Sequence, residues 1–273
     1  MYEEIRYEVD DPVAIITLNR PQAMNAWTAS MGAEIRDAVE RAVADDRVVG
    51  IVVTGEGRAF CAGADMNTLQ GLSSRDGGGD DGGLTAAPAA EAPGDFDGQL
   101  TYLMRMPKPV IAAVNGAVAG MAYPFTLACD VRIVSPDALF LTAFAQRGLI
   151  AEWGLSWLLP RLVGPAVALD LLFTSRRVKG EEAYRLGLAN YLVPADELLS
   201  FARQYVEGIA AACSPASLAV MKRQVYEQLH AGLGAAELDA QRLMRESFAR
   251  PDFREGVRSF VEKRPPQFPR ITG

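Results

Sequence analysis

The stretch VVGIVVTG, Val48 to Gly55, decides the fold: it is apolar almost without a break and carries β-branched residues at six of its eight positions. A strand with one wet face alternates apolar and polar residues, whereas a run like this one belongs to a strand covered on both faces, as in a parallel sheet flanked by helices. VAIITLN, Val13 to Asn19, has the same character. It leads into a helical pattern in which Ile35, Val39, Ala42 and Val43 share one face. PVIAAVNG and DVRIV repeat the theme. Strand then helix, repeated, predicts an α/β fold with largely parallel strands joined by crossovers.

With 273 residues, 49% of them hydrophobic, the chain can bury one large core, or a core with an appendage. The net charge of −7 and the absence of a basic cluster make nucleic acid an unexpected partner. Cys61, Cys129 and Cys213 are an odd count without paired spacing, which fits a reducing compartment better than a disulfide framework. No metal-binding spacing is present, and the acidic start MYEEIRYEVDD lacks the apolar core of a secretory signal. A soluble, cytoplasmic protein is expected. Pro109 to Cys129 is uncharged over a length able to cross a bilayer, but Asn115-Gly116, Gly120 and Pro124 divide it into a short strand, a turn and a helix start, so no membrane role is expected.

Ser73 to Gly98 is rich in Gly, Asp, Pro and Ala and poor in large apolar residues, and reads as a mobile excursion that either caps a pocket or is a tolerated surface insertion. After Val193 the pattern is purely helical. A helix introduced by Pro194 places Leu198, Ala202, Tyr205, Val206 and Ile209 on one face, two or three more follow, and the last ends at the double proline after FVEKR. This divides the chain into an α/β core over residues 1–193 and a helical region over 194–273.

FCAGAD, Phe60 to Asp65, and NGAVAGMAYPFTLACD, Asn115 to Asp130, each place small residues where a strand gives way to a helix. Open α/β sheets bind ligands at such strand ends, and small residues let backbone N–H groups approach a substrate. Turns also need glycine for steric reasons alone, so from the residues both readings stand.

RPQAMNA, AFCAGADM, PKPVIAAVNGAVAG, LACDVRI, LPRLVG, EEAYRLGLAN and FVEKR, in this order and spacing, resemble the enoyl-CoA hydratase/isomerase, or crotonase, superfamily over nearly the whole chain. The resemblance implies a crotonase-like spiral of repeated ββα units with a C-terminal helical region that forms homotrimers or hexamers. It implies an acyl-CoA thioester substrate, coenzyme A being carried by the substrate and no other cofactor or metal being needed. The N–H groups of Ala64 and Met121 then form an oxyanion hole. Gln22, Met24 and Ala62 hold the CoA adenine and pantetheine, and Phe260 and Lys263 close over CoA bound to a neighbouring subunit. Asn67 stands where some relatives carry a phosphate-binding lysine.

Hydratases of this family activate water with two glutamates, at positions that here hold Pro124 and Phe144. Neither side chain moves a proton, so ordinary hydration loses both its acid/base groups. Glu152, eight residues beyond Phe144, falls where dienoyl-CoA and phenylacetate-type isomerases carry a functional carboxylate, usually Asp. Trp153 and Trp157, with Phe144, Tyr123 and Met66, are expected to wall a dry cavity that raises the Glu152 pKa. From the residues alone, Glu152 reads first as a surface acid capping a helix that starts at Trp153 or Gly154, and it is the resemblance that favours the functional carboxylate. Gly120 adjoins the second turn, while Asp65 orders the first by accepting backbone N–H bonds. His230, the one histidine, lies in an amphipathic helix without a nucleophile motif, and buried Cys61 is expected to be inert. The expected activity is isomerisation of an enoyl- or ring-acyl-CoA through Glu152. The alternatives are nucleophilic attack by Glu152, an atypical hydratase, and a non-catalytic acyl-CoA-binding protein.

Overall fold

The computed structural model describes residues 2–73 and 96–272. Most of the Ser73–Gly98 excursion lies outside the described residues.

β1 (Ile5–Asp10) and β2 (Val13–Leu18) form an antiparallel hairpin that leads into α1 (Ala29–Ala44). Thr28 caps α1, its hydroxyl accepting from Met31 N at 3.0 Å. The pattern strand, strand, helix then recurs: β3 (Gly50–Gly55), β4 (Ala59–Cys61) and α2 (Met66–Ser73); β5 (Val110–Val114), β6 (Ala117–Ala119) and α3 (Ala122–Ala128); β7 (Val131–Val134), β8 (Leu139–Leu141) and α4 (Leu155–Thr174). β9 (Val178–Lys179), α5 (Gly180–Leu186) and β10 (Tyr191–Leu192) close the α/β part, and α6 (Leu198–Ala212), α7 (Pro215–Gln228), α8 (Leu233–Phe248) and α9 (Pro251–Glu262) complete the chain.

β1 and β2 both join one sheet, ordered β1-β2-β3-β5-β7-β10, and the next three units each give their first strand to that sheet and their second to another, ordered β4-β6-β8-β9. β3, β5 and β7 pair in parallel, as do β4, β6 and β8, so each of these three units advances by one strand in both sheets. That constant step is the expected spiral of ββα units.

Burial explains the continuous apolar runs. In β3, Ile51 and Val53 enter the main core with Ile35, Val39 and Ala42 of α1, while Val52 points to the opposite face, where Leu198, Ala202 and Val206 of α6 pack. The first helix of the 194–273 region is thus part of the sheet's own packing. α6 begins at Leu198, four residues after Pro194, because Glu197 N bonds back to the Pro194 carbonyl in a turn. α9 stops at Glu262, ahead of the double proline, where Lys263 adopts a left-handed φ of 53°. His230 lies in the turn after α7 rather than within a helix, stacked on Trp157 with ring centroids 5.4 Å apart.

The uncharged run from Pro109 to Cys129 resolves into β5, β6 and α3. Among the described residues α4 is the one helix long and apolar enough to cross a membrane by length and composition. It breaks at the non-helical Gly164 (φ 78°, ψ 159°), ahead of Pro165. At about 1.5 Å rise per residue, neither half approaches the ~30 Å of a bilayer core.

Candidate active site

β4, β6 and β8 end side by side, and the three turns that follow them surround a cavity of about 370 Å³. The first turn supplies Ala62, Gly63, Ala64 and Met66; the second supplies Ala119, Gly120 and Met121. The third, longest turn supplies Leu141 to Phe144, Arg147, Leu149, Glu152 and Trp153. Ala23, Met24 and Ala26, after β2, complete the wall.

Backbone pairing fixes the first turn. Trp27 N donates to Gly63 O at 2.7 Å and Asp65 N donates to Trp27 O at 3.0 Å. In a parallel bridge of this kind the intervening residue, Ala64, points its own N–H away from the partner. In the second turn Gly120, at φ 51°, donates its N–H to Leu141 O at 3.1 Å, which ties this turn to the strand that leads into the third. Among the described residues neither Ala64 N–H nor Met121 N–H donates to a backbone carbonyl, and both residues face the cavity.

Among the described residues Glu152 is the only acid on the wall. Burial lifts its carboxyl pKa above the ordinary glutamate value, opposed by an interaction with the Trp153 side chain. Trp153 (φ 57°) and Gly154 (φ 77°) are both left-handed, and α4 begins only at Leu155, with no side chain capping it. The helix-cap reading of Glu152 is therefore corrected: its carbonyl accepts from Leu155 N at 2.9 Å, and its side chain belongs to the cavity. A left-handed tryptophan is costly by about 1–2 kcal/mol, and its position directly after the one acid is the kind of strain found at functional sites.

Of the expected site residues, the fold gathers Met24, Ala62, Ala64, Met66, Gly120, Met121, Phe144, Glu152 and Trp153 on this wall. Others stand elsewhere. Gln22 is exposed on the short turn Pro21–Ala23, beside lining residues. The Asp65 carboxylate is drawn to Arg20, 3.1 Å away, whose guanidinium also donates to Ala26 O. Pro124 is buried inside α3, off the cavity wall. Tyr123 packs edge-on against Phe140 in the core, Trp157 packs on His230, and Met66 is 57% exposed, so the cavity is open at that side rather than dry throughout. Phe260 and Lys263 sit at the end of α9, outside the cavity of their own chain. Cys61 is fully buried, and burial pushes its thiol up to about 12. Among the described residues no three His, Cys, Asp or Glu side chains gather to hold a metal.

Arg147, Leu149 and Thr142 line the cavity without having been singled out in the sequence. The one signal for Arg147 was its place between Phe144 and Glu152, on the turn that supplies both.

A two-sheet ββα spiral with a small-molecule cavity at its strand ends defines the crotonase fold, and comparison with known proteins agrees. The family model described as "Enoyl-CoA hydratase/isomerase" matches residues 8–270, and the chain belongs to that family. It is 39% identical to a probable enoyl-CoA hydratase of Rhodobacter capsulatus, over 98% of both chains. It is 32% identical to the 1,2-epoxyphenylacetyl-CoA isomerase of Escherichia coli, over 98% of this chain and 99% of that one. The solved structure of a putative enoyl-CoA hydratase/isomerase family protein from Hyphomonas neptunium superposes with a TM-score of 0.85 at 34% identity, covering 98% of each chain.

Proposed function

We propose that the cavity receives the thioester end of an acyl-CoA and isomerises its acyl group by proton transfer through Glu152. The observation that carries this reading is that, among the described residues, the cavity's only acid shares a wall with two turns whose Ala64 and Met121 N–H groups are free of backbone partners. A thioester oxygen held between those two donors becomes an enolate oxygen when a proton leaves the neighbouring carbon. Fixed donors of this kind contribute about 3–4 kcal/mol each in acyl chemistry. Glu152 takes the proton at one carbon and returns it at another, so no second acid is required. Its raised pKa narrows the gap to the carbon acid and makes it a stronger base than an exposed glutamate.

Gln22, Met24 and Ala62 hold the pantetheine and adenine beyond the cavity in this reading, and CoA arrives with the substrate. The C-terminal helices assemble trimers: Phe260 at 86% and Val261 at 73% exposure are large apolar residues without cover in the single chain, and they stand beside Lys263. Phe260 and Lys263 then meet CoA held by the neighbouring subunit.

The hydratase name of the Rhodobacter capsulatus relative favours a second reading, in which Glu152 alone activates water. A panel of 3-enoyl-, dienoyl- and ring-acyl-CoA thioesters, assayed for double-bond migration and for solvent deuterium exchange, separates the two. Migration with exchange supports the isomerase. Water addition without migration overturns it in favour of the hydratase, and tight thioester binding without any turnover would leave a binding protein.

A further inference from the structure

Among the described residues Arg147 is the one cationic side chain on the cavity wall. It ends the short turn Ala145–Arg147, and Gly148 behind it is left-handed at φ 69°. The guanidinium is folded back along its own wall, Nη1 donating to Ala143 O at 2.9 Å, and Ala143 also lines the cavity. No carboxylate pairs with Arg147 among the described residues. Glu152 lies on the same turn, and no ion pair joins it to Arg147 among the described residues.

A guanidinium carries five N–H donors, and the Ala143 carbonyl engages one nitrogen. In the open cavity water satisfies the others, because Arg147 is exposed. A ligand that fills the cavity displaces that water, and donors left without acceptors then cost binding energy. The ligand that avoids this cost brings its own oxygens, and a carboxylate matches the planar guanidinium fork with two hydrogen bonds at once. The neighbours of Arg147 on the wall, Phe144, Leu149 and Glu152, come from the third turn, whereas Met24 and Ala62 come from the segments after β2 and β4.

We propose that Arg147 is a specificity determinant that selects acyl-CoA thioesters whose acyl group carries a second carboxylate at its far end. This rests on the cavity being an acyl-CoA site, but it does not require Glu152 to be the base.

The test uses saturated thioesters, which cannot isomerise. Dissociation constants are measured by calorimetry for matched pairs of ω-carboxyacyl-CoA and methyl-ended acyl-CoA of graded short length, and for free CoA. The carboxylated member should bind about 10-fold tighter or more at its best length, the range of a charge-assisted pair. Arg147→Leu should erase that preference while leaving the methyl-ended thioester and free CoA within about twofold, and Arg147→Lys should retain part of it. Equal weakening of both thioesters and of free CoA would show that Arg147 holds a CoA phosphate, which overturns the proposal. An unchanged preference in Arg147→Leu, or none in the parent, overturns it as well. Failure of every thioester to bind would sink the acyl-CoA reading along with it, whereas discrimination without isomerisation would leave this inference standing and remove only the isomerase.

Discussion

Gly63 and Ala119 lie so close that a β-carbon added to Gly63 would stand 2.8 Å from the Ala119 carbonyl oxygen. The two turns that present Ala64 and Met121 are therefore in direct backbone contact, and this contact sets the spacing between their N–H groups. A sheet whose strands advance by one step per unit brings equivalent turns together, and glycine is what lets them touch.

Gly63→Ala tests that arrangement. Its φ of 95° is unfavourable for any β-carbon, and the contact with Ala119 adds overpacking, so a loss of about 2–4 kcal/mol in denaturant unfolding is expected. Acyl-CoA affinity should fall at least about 10-fold as the donors move apart. A variant with parental stability and affinity would show that the contact does not set the site.

Much of this was legible in the sequence for a definite reason. β3 and β5 are buried on both faces, so VVGIVVTG and PVIAAV announced themselves as apolar runs. The second sheet left no such trace, because Ala117–Ala119 and Leu139–Leu141 are three-residue strands, too short to display a period. Trp153 was read as a helix start, and nothing in a tryptophan signals a left-handed backbone. Arg147 belongs to no motif, and only the folding of its turn brings it to the wall. Recognition of the motifs located Ala64, Met121 and Glu152; the fold added which neighbours share their cavity.

Lys222 clamps α7 to the core. Its Nζ donates to Leu103 O at 2.8 Å and Lys108 O at 3.2 Å and pairs with Asp130 Oδ2 at 2.7 Å, while Tyr226 OH donates to Asp130 Oδ1 at 2.8 Å. Lys222 and Asp130 side chains are only 8% and 16% exposed, so removing one partner leaves a largely buried charge. Lys222→Met should cost about 2–4 kcal/mol of stability. Adding Asp130→Asn should cost less than the sum of the single losses, by about 0.5–3 kcal/mol in a double-mutant cycle. Strict additivity would show that the pair does not act as a unit.

Phe260 and Lys263 give a prediction that joins assembly to binding. If they meet a neighbour's CoA, Phe260→Ser with Lys263→Ala should weaken CoA affinity and shift sedimentation toward smaller species, leaving the helical signal of the monomer in place. Unchanged affinity and unchanged mass would remove the intersubunit role.

Hydration of crotonyl-CoA should be very slow. Pro124 is sealed inside α3 and Phe144 lines the cavity without a proton to give. Each missing acid or base is worth about 10²–10⁴-fold. A rate like that of a dedicated hydratase would show that Glu152 suffices for water.

Glu152→Gln separates binding from chemistry. Acyl-CoA binding should survive, since the proposed donors are main chain, whereas isomerisation and deuterium exchange should drop at least about 10²-fold. In the parent, kcat/KM should fall with decreasing pH as Glu152 takes up its proton, at a pH above the ~4.3 of an ordinary glutamate because burial raises its pKa. The same shift acts on stability. A carboxyl whose pKa is raised by folding stabilises the fold below its unfolded value, and that contribution is lost as pH rises through the folded value. At neutral pH the ionised Glu152 is therefore held against its desolvation, and the Gln variant should unfold at the same temperature as the parent or a higher one. Full turnover in Glu152→Gln would dismiss it as the base. A drop in melting temperature at neutral pH would instead mark Glu152 as a structural anchor whose ionised form the fold prefers, contrary to its place on the cavity wall.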